Sequence, residues 1–200
     1  MGNTEIFEAM AHKYDTPERI EIATMAANAI REYFDNGKVK SGIDFGCGTG
    51  LVGLNLLDDL GHIVFLDTSA NMLELVDHKL TASGIQNAET VCFDFEAGLS
   101  SDLHADYIFM AQVLLHIRDV EPVLSRLYEV LNPGGHLIIV DFDLNEQVAS
   151  DIVHNGFDQS SLKSLMTKIG FTTAASKTIY TGSKIFMNQD ASMFLLDAEK

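Results

Sequence analysis

Three stretches of this chain are apolar almost without interruption: "HIVFL" (His62–Leu66), "DYIFMAQ" (Asp106–Gln112) and "HLIIVDF" (His136–Phe142). A strand with one wet face alternates polar and apolar residues. A strand that is apolar throughout is covered on both faces, which is the usual state of a strand in a parallel sheet. Helix-length segments separate these runs. Residues 17–35 predict a helix: Thr16 and Pro17 open it, Ile20, Ala23, Met25, Ala27 and Ile30 fall near helical spacing, and Asn36-Gly37 closes it. A shorter helix is expected over residues 5–13. An alternation follows, with strands at 39–45, 62–66, 88–93, 107–112 and 136–142. Helices are expected at 51–60, 69–82, 120–131 and 160–169, a turn at Asn132–Gly135, and two β-rich stretches at 172–180 and 192–197. Strands alternating with helices give a parallel sheet with helices on both faces. Ligands of such sheets bind beyond the carboxyl ends of the strands, near the point where the strand order reverses.

The residues after the first strand are Asp44-Phe45-Gly46-Cys47-Gly48-Thr49-Gly50. Glycines allow positive φ and let a ligand press against bare backbone. Gly48-x-Gly50-x-x-Gly53 fits the dinucleotide fingerprint, and Asp67 lies 19 residues after Gly48, where a ribose-binding acid belongs. Asp44 opposes a dinucleotide, because a pyrophosphate at this turn would face a carboxylate. A ligand with a cationic end and no phosphate suits glycines and a carboxylate together. S-adenosylmethionine, with an α-ammonium, a sulfonium and an adenosine, is such a ligand.

The acidic-x-Gly-x-Gly-x-Gly pattern resembles the first motif of class I S-adenosylmethionine-dependent methyltransferases. Further segments resemble the same family in order: "HIVFLDTSANMLEL", "VCFDFEAG", "ADYIFMAQVLLHIRD" and "LNPGGHLIIVDF". The last of these, and "FEAMAHKYD" near the start, resemble the subgroup that includes the ubiquinone/menaquinone-biosynthesis (type 11) methyltransferases. The resemblance implies a Rossmann-like fold, a seven-stranded and mostly parallel sheet with the last strand antiparallel. It implies one domain over residues 1–200, with 1–38 a helical lid and 39–200 the core. It implies cofactor contacts at Asp44, Gly46, Cys47, Gly48 and Gly50, at Asp67, Thr68 and Met72, at Asp94 and Phe95, and at Gln112 and Tyr14. Asp67 would bind the ribose hydroxyls, Asp94 the adenine amino group, and Asp44 the ammonium, directly or through water. Ser69 is the better cap for the following helix, which leaves Asp67 to the ligand.

Methyl transfer is an in-line displacement, so alignment is the protein's main task. A base is needed only where the acceptor loses a proton, and His116, after the fourth strand, is the candidate by position and pKa. His154, Asp141 and Asp143 are placed where they could line an acceptor pocket. No Asp/Asn-Pro-Pro-Tyr/Phe segment follows the fourth strand, which disfavours base amines and glutamine side chains as acceptors.

Charge narrows the partners. The net charge is −16, from 29 acids against 13 bases, which opposes approach to nucleic acid or an anionic membrane. With 46% apolar residues and no linker composition, one domain is expected. The two cysteines, Cys47 and Cys92, form no disulfide or metal spacing, so no metal is implied. Acids near the start argue against a signal peptide, and no apolar stretch is long enough to span a membrane. The expected molecule is cytoplasmic, a monomer or homodimer, acting on a small-molecule methyl acceptor. Two rival readings stand beside it. One is an NAD-dependent oxidoreductase, which lacks a Tyr-x-x-x-Lys pair here. The other is a non-catalytic S-adenosylmethionine-binding regulator.

Overall fold

The computed structural model describes residues 8, 11–35, 39–93 and 103–200. Its frame is a seven-stranded sheet in the order β3-β2-β1-β4-β5-β7-β6. The strands are β1 (Ser41–Phe45), β2 (His62–Asp67), β3 (Ala88–Cys92), β4 (Ala105–Ala111), β5 (Leu131–Phe142), β6 (Thr173–Phe186) and β7 (Gln189–Glu199). β1 to β5 pair in parallel, and β7 is antiparallel to both β5 and β6. The sheet is therefore of the Rossmann-like kind, mostly parallel with the last strand reversed. The chain builds outward from β1 to β3 and then returns to place β4 on the other side of β1. The strand order thus reverses between β1 and β4.

Period-two alternation divides the apolar side chains between two cores. On one face Ile63, Phe65, Phe109, Ile138 and Val140 pack with helices α1 (Pro17–Arg31) and α2 (Ala70–Ala82). On the other, Ile43, Leu66, Ile108, Met110 and Ile139 pack with α3 (Val120–Val130) and α4 (Gln159–Ile169). α1 contributes Ala26, Ala27 and Ile30, all fully buried, so it is one layer of the core. Thr16 caps it, accepting from the Arg19 amide at 3.3 Å, and Pro17 occupies its first turn.

The segment after the glycine turn departs from its expected helix. Only Gly53–Leu56 is helical, as a single 3-10 turn flanked by turns. Side chains divert its carbonyls: Asn55 Nδ2 donates to Leu51 O at 2.8 Å and Arg31 Nη2 donates to Asn55 O at 2.6 Å. Helix α1 ends at Arg31, short of the expected residue 35. Of the expected helix over 5–13, a 3-10 turn at Ala11–Lys13 is described. The expected turn at Asn132–Gly135 lies within the bounds of β5, as an irregularity. The pairing steps from Ala105↔Leu131 to Tyr107↔His136, and Gly134 takes φ 72°. The two closing stretches are longer than expected and form a hairpin through Met187 and Asn188, with φ of 48° and 62°. Positive φ at both central residues matches the twist of the flanking strands.

Gly53 is a tightly packed point beneath the site. A Cβ there would lie 2.5 Å from Phe65 Cε1 and 2.6 Å from Asp44 Oδ2. Gly53→Ala is expected to destabilise the protein by about 2–4 kcal/mol, from overpacking together with damage to the bond between its amide and the buried Asp44 carboxylate. Urea unfolding of the variant checks this; a loss below about 0.5 kcal/mol would mean the segment yields freely.

Candidate active site

The reversal of strand order opens a crevice, and a cavity of about 1010 Å³ fills it. The loops after β1 (Gly46, Gly48), β2 (Asp67, Thr68), β3 (Phe93) and β4 (Gln112, Val113) all contribute walls.

The turn after β1 is fastened to the end of β2. The amides of Gly46 and Cys47 both donate to Leu66 O, at 2.8 and 2.9 Å. Gly48 N donates to Asp67 Oδ2 at 2.8 Å, and Ser69 N donates to Asp67 Oδ1 at 2.9 Å. Gly46, Gly48 and Gly50 all have positive φ (69°, 54° and 79°), and a Cβ at Gly46 would lie 2.7 Å from Val113. Ser69 caps α2, its hydroxyl accepting from Met72 N at 3.2 Å. Asp67 is thus held by backbone bonds from Gly48, Ser69 and Thr68, which leaves part of its accepting capacity for a ligand. Burial is the main reason its pKa is raised, opposed by those backbone bonds.

Tyr14 closes the cavity over the glycine turn; a Cβ on Gly48 would lie 3.8 Å from its ring. Three residues hold this segment: Arg19, Thr49 and Lys79. Arg19 packs 4.2 Å over the Tyr14 ring and its Nη1 donates to Tyr14 O at 3.0 Å. The Asp15 carboxylate accepts from the Thr49 hydroxyl and, at 2.8 Å, from Lys79 Nζ. Lys79 Nζ also donates to Thr49 O at 2.7 Å. Asp15 and Lys79 were not among the residues singled out from sequence, since their pairing joins segments 64 positions apart.

At the end of β4, Gln112 takes φ 56°, strained for a residue with a side chain, and its amide donates to Val140 O at 2.8 Å. The 3-10 turn Leu114–His116 follows. It is anchored by Asp141, wholly buried, whose carboxylate accepts from Leu115 N at 3.2 Å and Phe142 N at 2.8 Å. His116 lines the cavity, and burial lowers its pKa to about 4. His154 also lines it, tying its loop to this turn: its amide donates to Leu115 O and its Nε2 to Ile117 O, both at 2.8 Å.

Of the residues predicted from sequence, Tyr14, Gly46, Gly48, Asp67, Thr68, Met72, Gln112 and His116 therefore meet at one cavity. Asp94 and Phe95 lie outside the described residues. Asp44, Cys47 and Gly50 are not on the cavity wall. Asp44, expected to serve a ligand ammonium directly or through water, does not line the cavity. It is 2% exposed and its Oδ2 accepts from Gly53 N at 2.9 Å, so it braces the turn from beneath. Burial pushes its pKa up to about 7, and the nearby Asp67 charge adds to this. The Cys47 thiol is likewise pushed up by burial, and its Sγ lies 3.5 Å from Gly48 O. Asp141 is a buried anchor, and Asp143 accepts from Gln159 Nε2 at 2.7 Å; neither lines the cavity. The wall also includes Phe93, Arg118, Arg126 and Ile152, which the sequence reading did not single out. Asp119, Pro122, Val123 and Arg126 recur at helical spacing on α3, a pattern that could have indicated that face. Among the described residues no group of three or more His, Cys, Asp or Glu could hold a metal, and no helix is long and apolar enough to cross a membrane.

The comparisons with known proteins bear on this site. Residues 43–137 match the family model of a methyltransferase domain, a span that includes the glycine turn, Asp67, Gln112 and His116. The chain resembles the class I S-adenosylmethionine-dependent methyltransferases. It is 27% identical over 195 residues to a ubiquinone/menaquinone biosynthesis C-methyltransferase of a Marinomonas species, covering 93% of this chain and 76% of that protein. It is also 27% identical over 143 residues to a demethylmenaquinone methyltransferase of Listeria monocytogenes, covering 68% of this chain but only 60% of the relative's length. Among solved structures, a S-adenosylmethionine-dependent methyltransferase from Aquifex aeolicus superimposes with a TM-score of 0.74 at 18% identity, covering 96% of this chain and 97% of that one. That likeness concerns the fold. The cofactor of this methyltransferase family is S-adenosylmethionine.

Two outcomes are expected. Asp67→Ala should weaken S-adenosylhomocysteine binding by about 1.5–3 kcal/mol, the range for a hydrogen bond to a charged group; unchanged affinity by calorimetry would remove Asp67 from the ligand's partners. Asp44 carries a pH signature. Its pKa rises from 3.8 unfolded to about 7 folded. Its ionisation therefore costs the folded state nothing below the unfolded value, and the cost grows until pH passes the folded one. Relative to Asp44→Asn, the wild type should lose stability between these two values, with a slope of at most about 1.4 kcal/mol per pH unit. Urea unfolding across that range checks it; a flat difference would place the carboxylate in contact with water.

Proposed function

We propose that this chain transfers a methyl group from S-adenosylmethionine to the O, N or C atom of a small molecule. The observation that carries this reading is the meeting of a bare glycine turn and the Asp67 carboxylate in one cavity at the strand reversal. The residues there fit the cofactor. Asp67 presents its carboxylate to a ribose diol, and Gly46 and Gly48 offer backbone unshielded by side chains. Met72 and Phe93 would cover the adenosine, with Gln112 and Tyr14 bounding the methionine end. S-adenosylmethionine supplies an electrophilic methyl group on a cationic sulfur. The protein's own tasks are to hold the reactants in line and to keep water out. Tyr14, strapped across the glycine turn by Asp15 and Lys79, would serve as the lid.

His116 would accept the proton of an acceptor hydroxyl. With its pKa near 4 the imidazole is neutral throughout the physiological range but a weak base, so the acceptor hydroxyl it serves must itself be acidic. The relatives' names, drawn from ubiquinone and menaquinone biosynthesis, support a quinone-type ring as acceptor. A cytoplasmic location remains our reading of the composition.

Calorimetric titration with S-adenosylhomocysteine and, separately, NADH tests this assignment. Micromolar binding of the first alone is expected; binding of NADH alone would replace the reading with a dehydrogenase. With a hydroxyl acceptor, His116→Ala should lower turnover by about 10²–10⁴-fold with S-adenosylhomocysteine affinity unchanged. An undiminished rate would remove the base.

A further inference from the structure

The cavity end away from the glycine turn is walled by residues 115–119 and by the loop 151–154. We propose that His154 is a positioning residue for methyl transfer: it holds the backbone on both sides of His116 and so aims that imidazole at the acceptor. The proposal rests on the methyltransferase reading with His116 as base, and names what fixes the base in place.

A single 3-10 turn holds itself poorly. The turn Leu114–His116 is closed by His116 N donating to Val113 O and Ile117 N donating to Leu114 O, both at 3.0 Å. Gln112, with φ 56°, turns the chain sharply away from β4 just before it. Further ties come from the end of β5 and the loop beyond it. Asp141 accepts from Leu115 N at 3.2 Å. His154 takes the carbonyls of Leu115 and Ile117, the two residues that flank His116. Its amide donates to the first and its Nε2 to the second, both at 2.8 Å. A carbonyl only accepts, so Nε2 carries a proton in either charge state of the ring, and the bond persists through the ring's titration.

His154 is itself held. Its ring lies 5.3 Å from the Phe157 ring, centre to centre. Asn145 N donates to Asn155 O at 2.8 Å, and Phe157 N donates to Phe142 O at 2.9 Å. Gly156, with φ 95°, lies so close to the strand end that a Cβ there would be 2.2 Å from Asp143 O. The end of β5 therefore fixes His154, and His154 fixes the turn that carries His116. His154 also stands on the cavity wall beside Ile152 and Val153. An acceptor pressed against this loop thus bears on the residue that aims the base. The charged and titratable groups brought to this end are Arg118 and Asp119 beside the turn, Arg126 on α3, Asp141 on β5, and Asp151 and His154 on the loop. Burial is what lowers the His116 pKa, so the depth of the ring can be read from its titration.

The test follows the His116 ring in the full chain by proton–carbon NMR of labelled histidine, the resonance being assigned by its loss in His116→Ala. In the wild type the ring is expected to stay neutral down to about pH 5, above its value of about 4. In His154→Leu the turn loosens and the ring reaches water, so its titration should move up by about one pH unit or more. His154→Gln, whose amide reaches the same carbonyl, should keep the wild-type behaviour. If the leucine variant does not fold, His154→Asn, with its shorter amide, carries the same expectation. In turnover of 4-nitrocatechol, an acidic hydroxyl acceptor, His154→Leu should lower kcat about 10–10²-fold without weakening S-adenosylhomocysteine. It should add nothing in the His116→Ala background. A ring that titrates alike in wild type and His154→Leu overturns the proposal, and so does an equal shift in His154→Gln or an additive loss in the double variant. The NMR outcome decides by itself if 4-nitrocatechol is not methylated. A rate loss in His116→Ala with none in His154→Leu rejects the positioning role alone. An undiminished rate in His116→Ala, or a wild type that binds no S-adenosylhomocysteine, rejects the underlying reading and the proposal with it.

Discussion

The Asp67 carboxylate holds two pieces of backbone that would otherwise drift apart. Through Gly48 N it fixes the turn after β1, and through Ser69 N it fixes the start of α2. Leu66 O, one residue earlier, receives the amides of Gly46 and Cys47. The end of β2 is therefore the post to which the glycine turn is tied, and the floor of the cavity follows from it. The arrangement also explains the glycines. Three left-handed residues in five positions turn the amides inward toward β2 while keeping side chains off the cavity floor. Any side chain at Gly46 would drive into Val113, which belongs to the loop after β4. One carboxylate and one bare turn thus coordinate three strand ends.

Asp44 and Asp141 repeat a single device at the ends of β1 and β5. Each is buried, and each accepts from the amide of a 3-10 turn: Gly53 N for Asp44, Leu115 N for Asp141. Burial pushes both pKa values up to about 7. A carboxylate kept from water in this way is expensive unless its hydrogen bonds hold short, poorly cooperative turns in place. The second turn borders the crevice and carries His116, while the first lies behind the glycine turn. Stability is given up at these two positions to define the shape of the site, which is the common bargain at a functional cleft.

The fold was legible because its signal is redundant. Three unbroken apolar runs, spaced by helix-length segments, leave few alternatives to a parallel sheet. The ends of elements were less legible. The segment 51–60 has helical composition, yet Arg31 and Asn55 take its carbonyls, and that competition depends on a residue two elements away. In the site, the glycine turn, Asp67 and Gln112 could be read because they sit at strand ends, where topology alone points. Asp44 was read in the right motif, and the neighbour the structure gives it, the Gly53 amide, was not anticipated. A residue at the last turn of a strand faces one side or the other of the sheet, and sequence spacing does not reveal which side the ligand takes. Arg126 lay within a helical-spacing stripe that could have been read, whereas Arg118 and the strap between Asp15 and Lys79 depend on tertiary contact, which a single sequence does not encode in any local pattern.

The field of these carboxylates bears on which ligand can enter. Asp44 and Asp67 raise each other's cost of ionisation, as the upward shift of Asp44 by the Asp67 charge records. A ligand bringing phosphate to the glycine turn would add to that cost, and the ordinary benefit of backbone amides for an anion is already spent, because Gly48 N, Gly46 N and Cys47 N are bonded to Asp67 and Leu66. A cationic ligand reverses the balance. It lowers the cost of keeping Asp67 ionised, so binding and the charge of the site reinforce each other. The same turn that matches a dinucleotide fingerprint by spacing is, by charge and by the use of its amides, built for a ligand without phosphate.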